Sequence, residues 1–324
     1  MRRWCSPLLG LEPSAPAARY LQRRTELGPQ EVTRRLLRAA AVEAWLVDTG
    51  FRTGELLTPA QLAELSGAPA HEVVRLEAVA EQVAASGGVT AAAYAAAVES
   101  EIAARAEAAV AFKSIAAYRY GLDFVPRRPS AAEVAAAATH WLRALDADPA
   151  DRLSDPVLLR HAIWAGLDTG LPLQFHTGFG DPDARLHRAD PSLLHDFLIA
   201  TRPAGTPVML LHCYPFHRQA GYLAQAFPHV YMDVGQALNH VGARSAAVLA
   251  EALELAPFHK VLYSSDAFGL PELHYLGADG FRRDLATVTG AFVADGAWSA
   301  ADAERVSGMI GAGNARRVYH LPPP

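Results

Sequence analysis

Three short apolar runs in this chain each end in a side chain that can bind a metal ion or move a proton. Leu173–Phe175 leads into His176 within LPLQFHTGFGD (171–181), Val208–Cys213 (VMLLHC) carries His212, and Val261–Asp266 (VLYSSD) ends in Asp266. Imidazole nitrogens and carboxylate oxygens suit a divalent cation, zinc first and manganese second. One histidine after a strand is more often a satisfied polar residue than a ligand. A series of three strand ends bearing His, His and Asp reads as a site. Gly178 and Gly180 then open the loop beyond His176. Most other histidines, among them His161, His217, His229 and His274, fall in helices or loops and read as surface residues.

Lysine usage adds a fourth candidate. Of 29 basic residues only Lys113 and Lys260 are lysines, so arginine supplies nearly all the positive charge. Lys113 sits in the apolar run Val110–Ile115 (VAFKSI). A primary amine, unlike a guanidinium, can add carbon dioxide and become an anionic carbamate that bridges two metals. The plainer alternative is a strand residue whose amine reaches solvent along its apolar stem.

These residues need a frame that brings strand ends together. Apolar runs Ala44–Thr49, Glu72–Leu76, Val110–Ile115, Leu173–His176, Val208–Cys213, Val230–Val234 and Val261–Asp266 read as strands. Helical patterns separate most of them, at Thr58–Ser66, Thr90–Ala109, Ser130–Leu145, Asp155–Thr169, Pro191–Thr201, His217–Phe227 and Val241–Leu255. Helices at Pro29–Ala41, Gly280–Phe292 and Ser299–Ile310 complete the pattern. Strands alternating with helices predict parallel β/α units. In a (β/α)8 barrel all strand C-termini meet at one face, where the chemistry sits. Seven strands are counted here against eight in a closed barrel, so the α/β, TIM-barrel type fold is one strand short at its beginning. Residues 1–28 read as an irregular segment with a short helix at Ala17–Leu27, and 29–324 as the barrel.

Composition bounds the rest. The chain has 324 residues, 51% hydrophobic and 19% charged, with a net charge of −5. A large core is expected, with no nucleic acid or anionic membrane as partner. No apolar run is long enough to span a bilayer, and Cys5 and Cys213 do not make a disulfide framework. A cytoplasmic enzyme with a small-molecule substrate is the expectation.

The pieces FKSIAAYRYGLD (112–123), LQFHTGFGD (173–181), LLHCYP (210–215), YMDVG (231–235), SSDAFG (264–269) and GNARRVY (313–319) resemble the amidohydrolase superfamily in order and spacing. The similarity is to its amidohydrolase-related (amidohydrolase 2) branch and runs from about residue 29 to the end. It implies a (β/α)8 barrel with one or two metals at its mouth. His176 then matches the fifth-strand histidine, His212 the sixth, Asp266 the eighth-strand aspartate and Lys113 the fourth-strand lysine that is carboxylated in binuclear members. The family's first strand, with its His-x-His pair, has no counterpart in this sequence. A start codon assigned too far downstream is the favoured reading, a truncated relative the other. The resulting gap between the strands near residues 45 and 263 would leave an unpaired edge, which invites aggregation.

The resemblance implies a metal-dependent hydrolase acting on a C–N, ester or lactone bond. Asp266 would exchange the proton of a metal-activated water, and His212 would be a ligand or polarise the substrate carbonyl. Tyr118 and Arg119, in the loop after Lys113, are expected to bind a substrate carboxylate, and Trp4 with Arg2 and Arg3 to fold over the same mouth. A decarboxylase of the same branch and an inactive barrel that binds a ligand or partner are the alternatives. Many relatives associate, so a homo-oligomer stays open.

Overall fold

A computed structural model describes residues 1–52 and 54–323. Six strands form one parallel sheet in sequence order: β1 Trp45–Asp48, β2 Ala70–Arg75, β3 Ala111–Ser114, β4 Leu173–His176, β5 Val208–Leu211 and β6 Val230–Met232. A single bridge, Met232 to Val261, extends it by one position. The expected strand Val261–Asp266 is therefore reduced to Val261, and the chain beyond leaves the sheet. Every connection contains helix, as parallel pairing requires.

Successive side chains of a strand point to opposite faces, and here the two faces have different tasks. Phe112, Leu173, Phe175, Val208 and Leu210 point outward into the main core under the helices. Val73, Ala111, Met209, Leu211 and Leu262 point inward and form a second cluster, against which Leu46 and Tyr231 also pack. Val318 and Tyr319 from the end of the chain join this cluster, and the Tyr319 hydroxyl accepts a hydrogen bond from Gln174 at 2.8 Å. Two residues further along β1 to β4, on the same inward face, come Asp48, Arg75, Lys113 and His176. The interior is thus apolar below and ionisable above, and the pleat places these four side chains at the strand C-termini.

The two ends of the sheet face each other across an apolar seam. Trp45 and partly buried Val47 of β1 share a cluster with Leu37, Leu62, Ala278 and Tyr263. No backbone ladder joins β1 to the Val261 segment among the described residues. Two 24-residue helices, Ala17–Ala40 and Pro271–Ala294, pack against each other behind the seam. Their anchor is Glu272, fully buried, which accepts from the Tyr20 hydroxyl at 2.8 Å and from the Arg24 guanidinium.

Several elements differ from expectation. The helices expected at 17–27 and 29–41 are one element kinked at Gly28, whose φ of 77° suits glycine and is followed by Pro29. Residues 1–28 are accordingly more ordered than expected, with Arg2–Cys5 helical and Cys5, Leu9 and Tyr20 buried beside Val32 and Leu36. Trp4 does not cover the mouth: it lies between the guanidinium groups of Arg3 and Arg283, at 4.7 and 4.0 Å from its ring centroid. Leu76 begins an unforeseen helix, Leu76–Ala85, that buries Leu76, Val79 and Ala80 on one face. The helix expected at Val241–Leu255 is split into Gly235–His240 and Ser245–Ala252, and the one expected at Gly280–Phe292 starts earlier, at Pro271.

Not all the supposed surface histidines are exposed. His161, His217 and His229 are buried because each has a partner: the Ala95 carbonyl, the Glu251 carboxylate at 2.7 Å and the Thr201 hydroxyl. Lys260 is buried too, its Nζ donating to the carbonyls of Ala224 (2.7 Å) and Phe227 (2.6 Å) at the C-terminus of the helix His217–Ala226. No helix among the described residues is long and apolar enough to cross a membrane.

Replacing Glu272 with Ala leaves Tyr20 and Arg24 without their buried acceptor. Removing one partner of a buried ion pair costs about 3–5 kcal/mol. Urea unfolding should show a midpoint lowered accordingly, and an unchanged midpoint would mean that the anchor is not what holds the two long helices.

Candidate metal and proton-transfer site

His176 is the last residue of β4 and continues the inward face of Gln174. It is 3% exposed, and its Nε2 has no hydrogen-bond partner. Burial, then the neighbouring His212 ring, then the charges of Lys113 and Arg75 hold its pKa well below the ordinary histidine value. The ring is therefore neutral near pH 7, the form that donates a lone pair to a metal.

His212 reaches the same mouth by a different route. It follows the inward-facing Leu211, so a regular strand would turn it outward. Positive φ angles at His212 (69°) and Cys213 (58°) break the strand and redirect it. Asp233 holds this turn: its Oδ1 accepts from the backbone N–H of His212 and of Gly235, both at 2.9 Å. The two imidazole rings lie 4.9 Å apart, centroid to centroid. Both ring nitrogens of His212 are buried without a partner, and its Nε2 is 3.6 Å from Asp266 Oδ1. Asp266 itself adopts φ 48° in the loop after Val261.

The loop beyond His176 closes against both neighbours. Gly178 has φ 78° and approaches the backbone of Cys213 and Tyr214 too closely for a side chain. Gly180 lies over the Tyr118 hydroxyl, and a Cβ there would also come within 3.0 Å of His176 Nε2. Tyr118 packs its ring 4.3 Å from that of His176, and burial raises its hydroxyl pKa.

Tyr118 is thus at the mouth, on a single helical turn, Ala116–Arg119, where a loop was expected. Arg119 is not brought there. Its guanidinium pairs with Glu81 of the helix Leu76–Ala85 at 3.4 Å, an acceptor on an element the sequence pattern did not reveal. Lys113 is beside His176 on the inward face, and its Nζ lies 3.2 Å from Asp48 Oδ2. Arg75 holds the same oxygen through Nη2 at 2.5 Å and Nε at 3.2 Å. Asp48 and Arg75 stand at the same strand ends as the candidate residues, and sequence reasoning passed over both. Asp233, also passed over, carries the same signal in YMDVG.

No group of three His, Cys, Asp or Glu side chains is placed to hold a metal as the side chains stand among the described residues. The donor chemistry nonetheless fits a divalent cation. At this mouth three imidazole nitrogens, one of His176 and two of His212, are buried without a hydrogen-bond partner among the described residues, an arrangement that costs free energy unless something binds them, and one carboxylate stands beside them.

The family model described as "Amidohydrolase" matches residues 47–321. Protein fluG of Emericella nidulans is 34% identical over 224 residues, which is 66% of this chain and 26% of the relative. The chain thus spans about a quarter of the length of that curated relative. An inferred metal-dependent hydrolase of Lactobacillus casei ATCC 334 superposes with a TM-score of 0.80 at 33% identity, covering 90% of this chain and 76% of that one. The uronate isomerase of Thermotoga maritima superposes at 0.64 with 14% identity over 95% and 74% of the two chains, a likeness of fold alone.

Two outcomes follow from this geometry. Gly180→Ala should displace Tyr118 from His176, and a shift in Tyr118 fluorescence or ring NMR signals would report it; an unaltered spectrum would mean that the loop yields instead. Burial depresses the pKa of His229 and of His274 to about 4, and His176 is depressed as well. The unfolded chain therefore binds protons below pH 6.5 that the folded chain refuses, so stability is lost as pH falls from 6.5 toward 4. Melting curves should show a midpoint that declines over that interval.

Proposed function

Because the chain belongs to the amidohydrolase family, we propose that it is a metal-dependent hydrolase that cleaves a C–N, ester or lactone bond of a small molecule. The observation that carries this reading is the set of buried, partnerless ring nitrogens on His176 and His212 with the Asp266 carboxylate beside them. His176, His212 and Asp266 would hold the ion, and two nitrogen donors with one carboxylate suit zinc ahead of manganese. Such an ion, when bound, lowers the pKa of its water to about 7 and polarises a carbonyl.

The chain's own residues do the rest. His176 stays neutral through burial and the nearby cations, so protons do not compete for its Nε2. Asp266 takes the proton of the attacking water and returns it to the leaving group. Tyr118 roofs the His176 ring and narrows the mouth on that side. Asp233 fixes His212 through the backbone, so its ring does not depend on a side-chain partner for its direction.

The test begins with metal content of the purified chain. Near-stoichiometric zinc or manganese, lowered by His176→Ala and His212→Ala, supports the reading. With an ester substrate, Asp266→Asn should cut turnover by about 10²–10⁴-fold; full turnover in that variant would sink the mechanism. Solvent oxygen-18 in the product distinguishes hydrolysis from decarboxylation, which incorporates none. One observation favours a second reading, a barrel that binds a ligand without turning it over: three acidic or imidazole side chains do not converge as the described residues stand. Folded protein that takes up no metal would establish that alternative.

A further inference from the structure

Three charged side chains at the mouth lie outside the proposed metal set. Asp48 and Arg75 end β1 and β2, and Lys113 is the last inward-facing residue of β3. Arg75 and Lys113 are direct partners across the parallel pair, and both cations converge on one oxygen, Asp48 Oδ2. Their side chains are only 10%, 9% and, for Asp48, 15% exposed. Within this cluster two cations face one carboxylate, and the fully buried Glu77 carboxyl that also feels Arg75 has its pKa raised by burial, which favours its neutral form. A purely structural cluster would neutralise itself, because a surplus charge out of water is costly until an anion joins it.

The surroundings match a ligand of that kind. The Arg75 guanidinium sits 5.6 Å from the ring centroid of Phe51, and Phe51 meets Phe268 edge-on at 5.2 Å. Phe268 is exposed and lies two residues beyond Asp266, so the loop after β1 and the loop of the proton-transfer residue form one aromatic wall above the cations. Carboxylation of Lys113 would set a second anion against Asp48 and abolish the surplus charge.

We infer that Lys113 and Arg75 form a receptor for a carboxylate of the substrate, with Asp48 as the internal counter-ion that occupies them until the substrate competes for them. The substrate class is then a small monocarboxylic acid with an apolar or aromatic body carrying the bond to be cleaved. Part of this rests on the reading of the site as a hydrolase; the receptor itself does not. One excess positive charge matches a monoanion such as carboxylate better than a phosphate dianion. The role expected for Arg119 from the sequence passes to Arg75, because Glu81 occupies Arg119.

The test compares three probes by isothermal titration calorimetry on the chain as purified: benzoate, its neutral isostere benzamide, and inorganic phosphate. Benzoate should bind at least about tenfold tighter than benzamide, the effect of one charge-assisted contact. Lys113→Met should erase that preference. Asp48→Asn should widen it, since the cations lose their internal competitor, whereas a merely structural Asp48 would give weaker binding or none. Equal affinity for benzoate and benzamide in the wild type, an undiminished preference in Lys113→Met, or a narrowed preference in Asp48→Asn overturns the inference. Tighter binding of phosphate than of benzoate overturns the carboxylate assignment. Metal content measured on the same preparation separates the two readings: the charge preference without metal counts against the hydrolase alone, and metal without the preference counts against the receptor alone.

Discussion

Asp233 is buried between β6 and the helix that follows it, and it spends one carboxylate oxygen on two backbone donors, His212 and Gly235. That contact decides whether a mouth exists. Strand alternation brings Asp48, Arg75, Lys113 and His176 inward unaided, but it would carry His212 to the helical layer. Two consecutive left-handed residues reverse it. A non-glycine residue in that region is uncommon and persists where its surroundings over-determine it. Here they are the Asp233 carboxylate and the Thr177 hydroxyl, which donates to the Leu211 carbonyl at 2.7 Å.

Electrostatics then divide the mouth into two halves. On the β4 and β5 side stand the imidazoles of His212 and of His176, the latter kept neutral by burial and by the cations opposite. On the β1 to β3 side stand two cations and their single carboxylate. Each half needs the other: cations near His176 discourage its protonation, and the neutrality of His176 spares Lys113 and Arg75 a third charge of like sign. The glycines at 178 and 180 allow the loop after β4 to lie close over both halves.

The residues that sequence reading singled out are those whose type contrasts with the run before them. His176, His212 and Asp266 each follow an apolar strand signal, and Lys113 stands out against a background of arginine. Asp48 and Arg75 end apolar runs in the same way, but aspartate and arginine are common surface residues, so their types carried less contrast. Arg119 was misdirected because its partner, Glu81, lies on the helix Leu76–Ala85. That helix follows β2 without a turn signal, so its apolar stripe merged with the strand. The fold class was legible from the alternation of elements. The seam between Trp45 and Tyr263 was not, since it is a contact between chain segments more than 200 residues apart with no local pattern to announce it.

The burial of both lysines has a practical side. Lys113 is held at the mouth and Lys260 caps a helix through two carbonyls, so this chain offers solvent guanidinium groups and no lysine amine among its described residues. Isopeptide-forming ligases act on exposed amines, and the native fold denies these bulky enzymes both lysines. Modification at Lys260 would require the helix end at Ala224 and Phe227 to come apart, and modification at Lys113 would require only that the strand ends loosen. The two lysines therefore form a built-in pair of clocks, one timing the breathing of the mouth and the other the unfolding of the barrel wall.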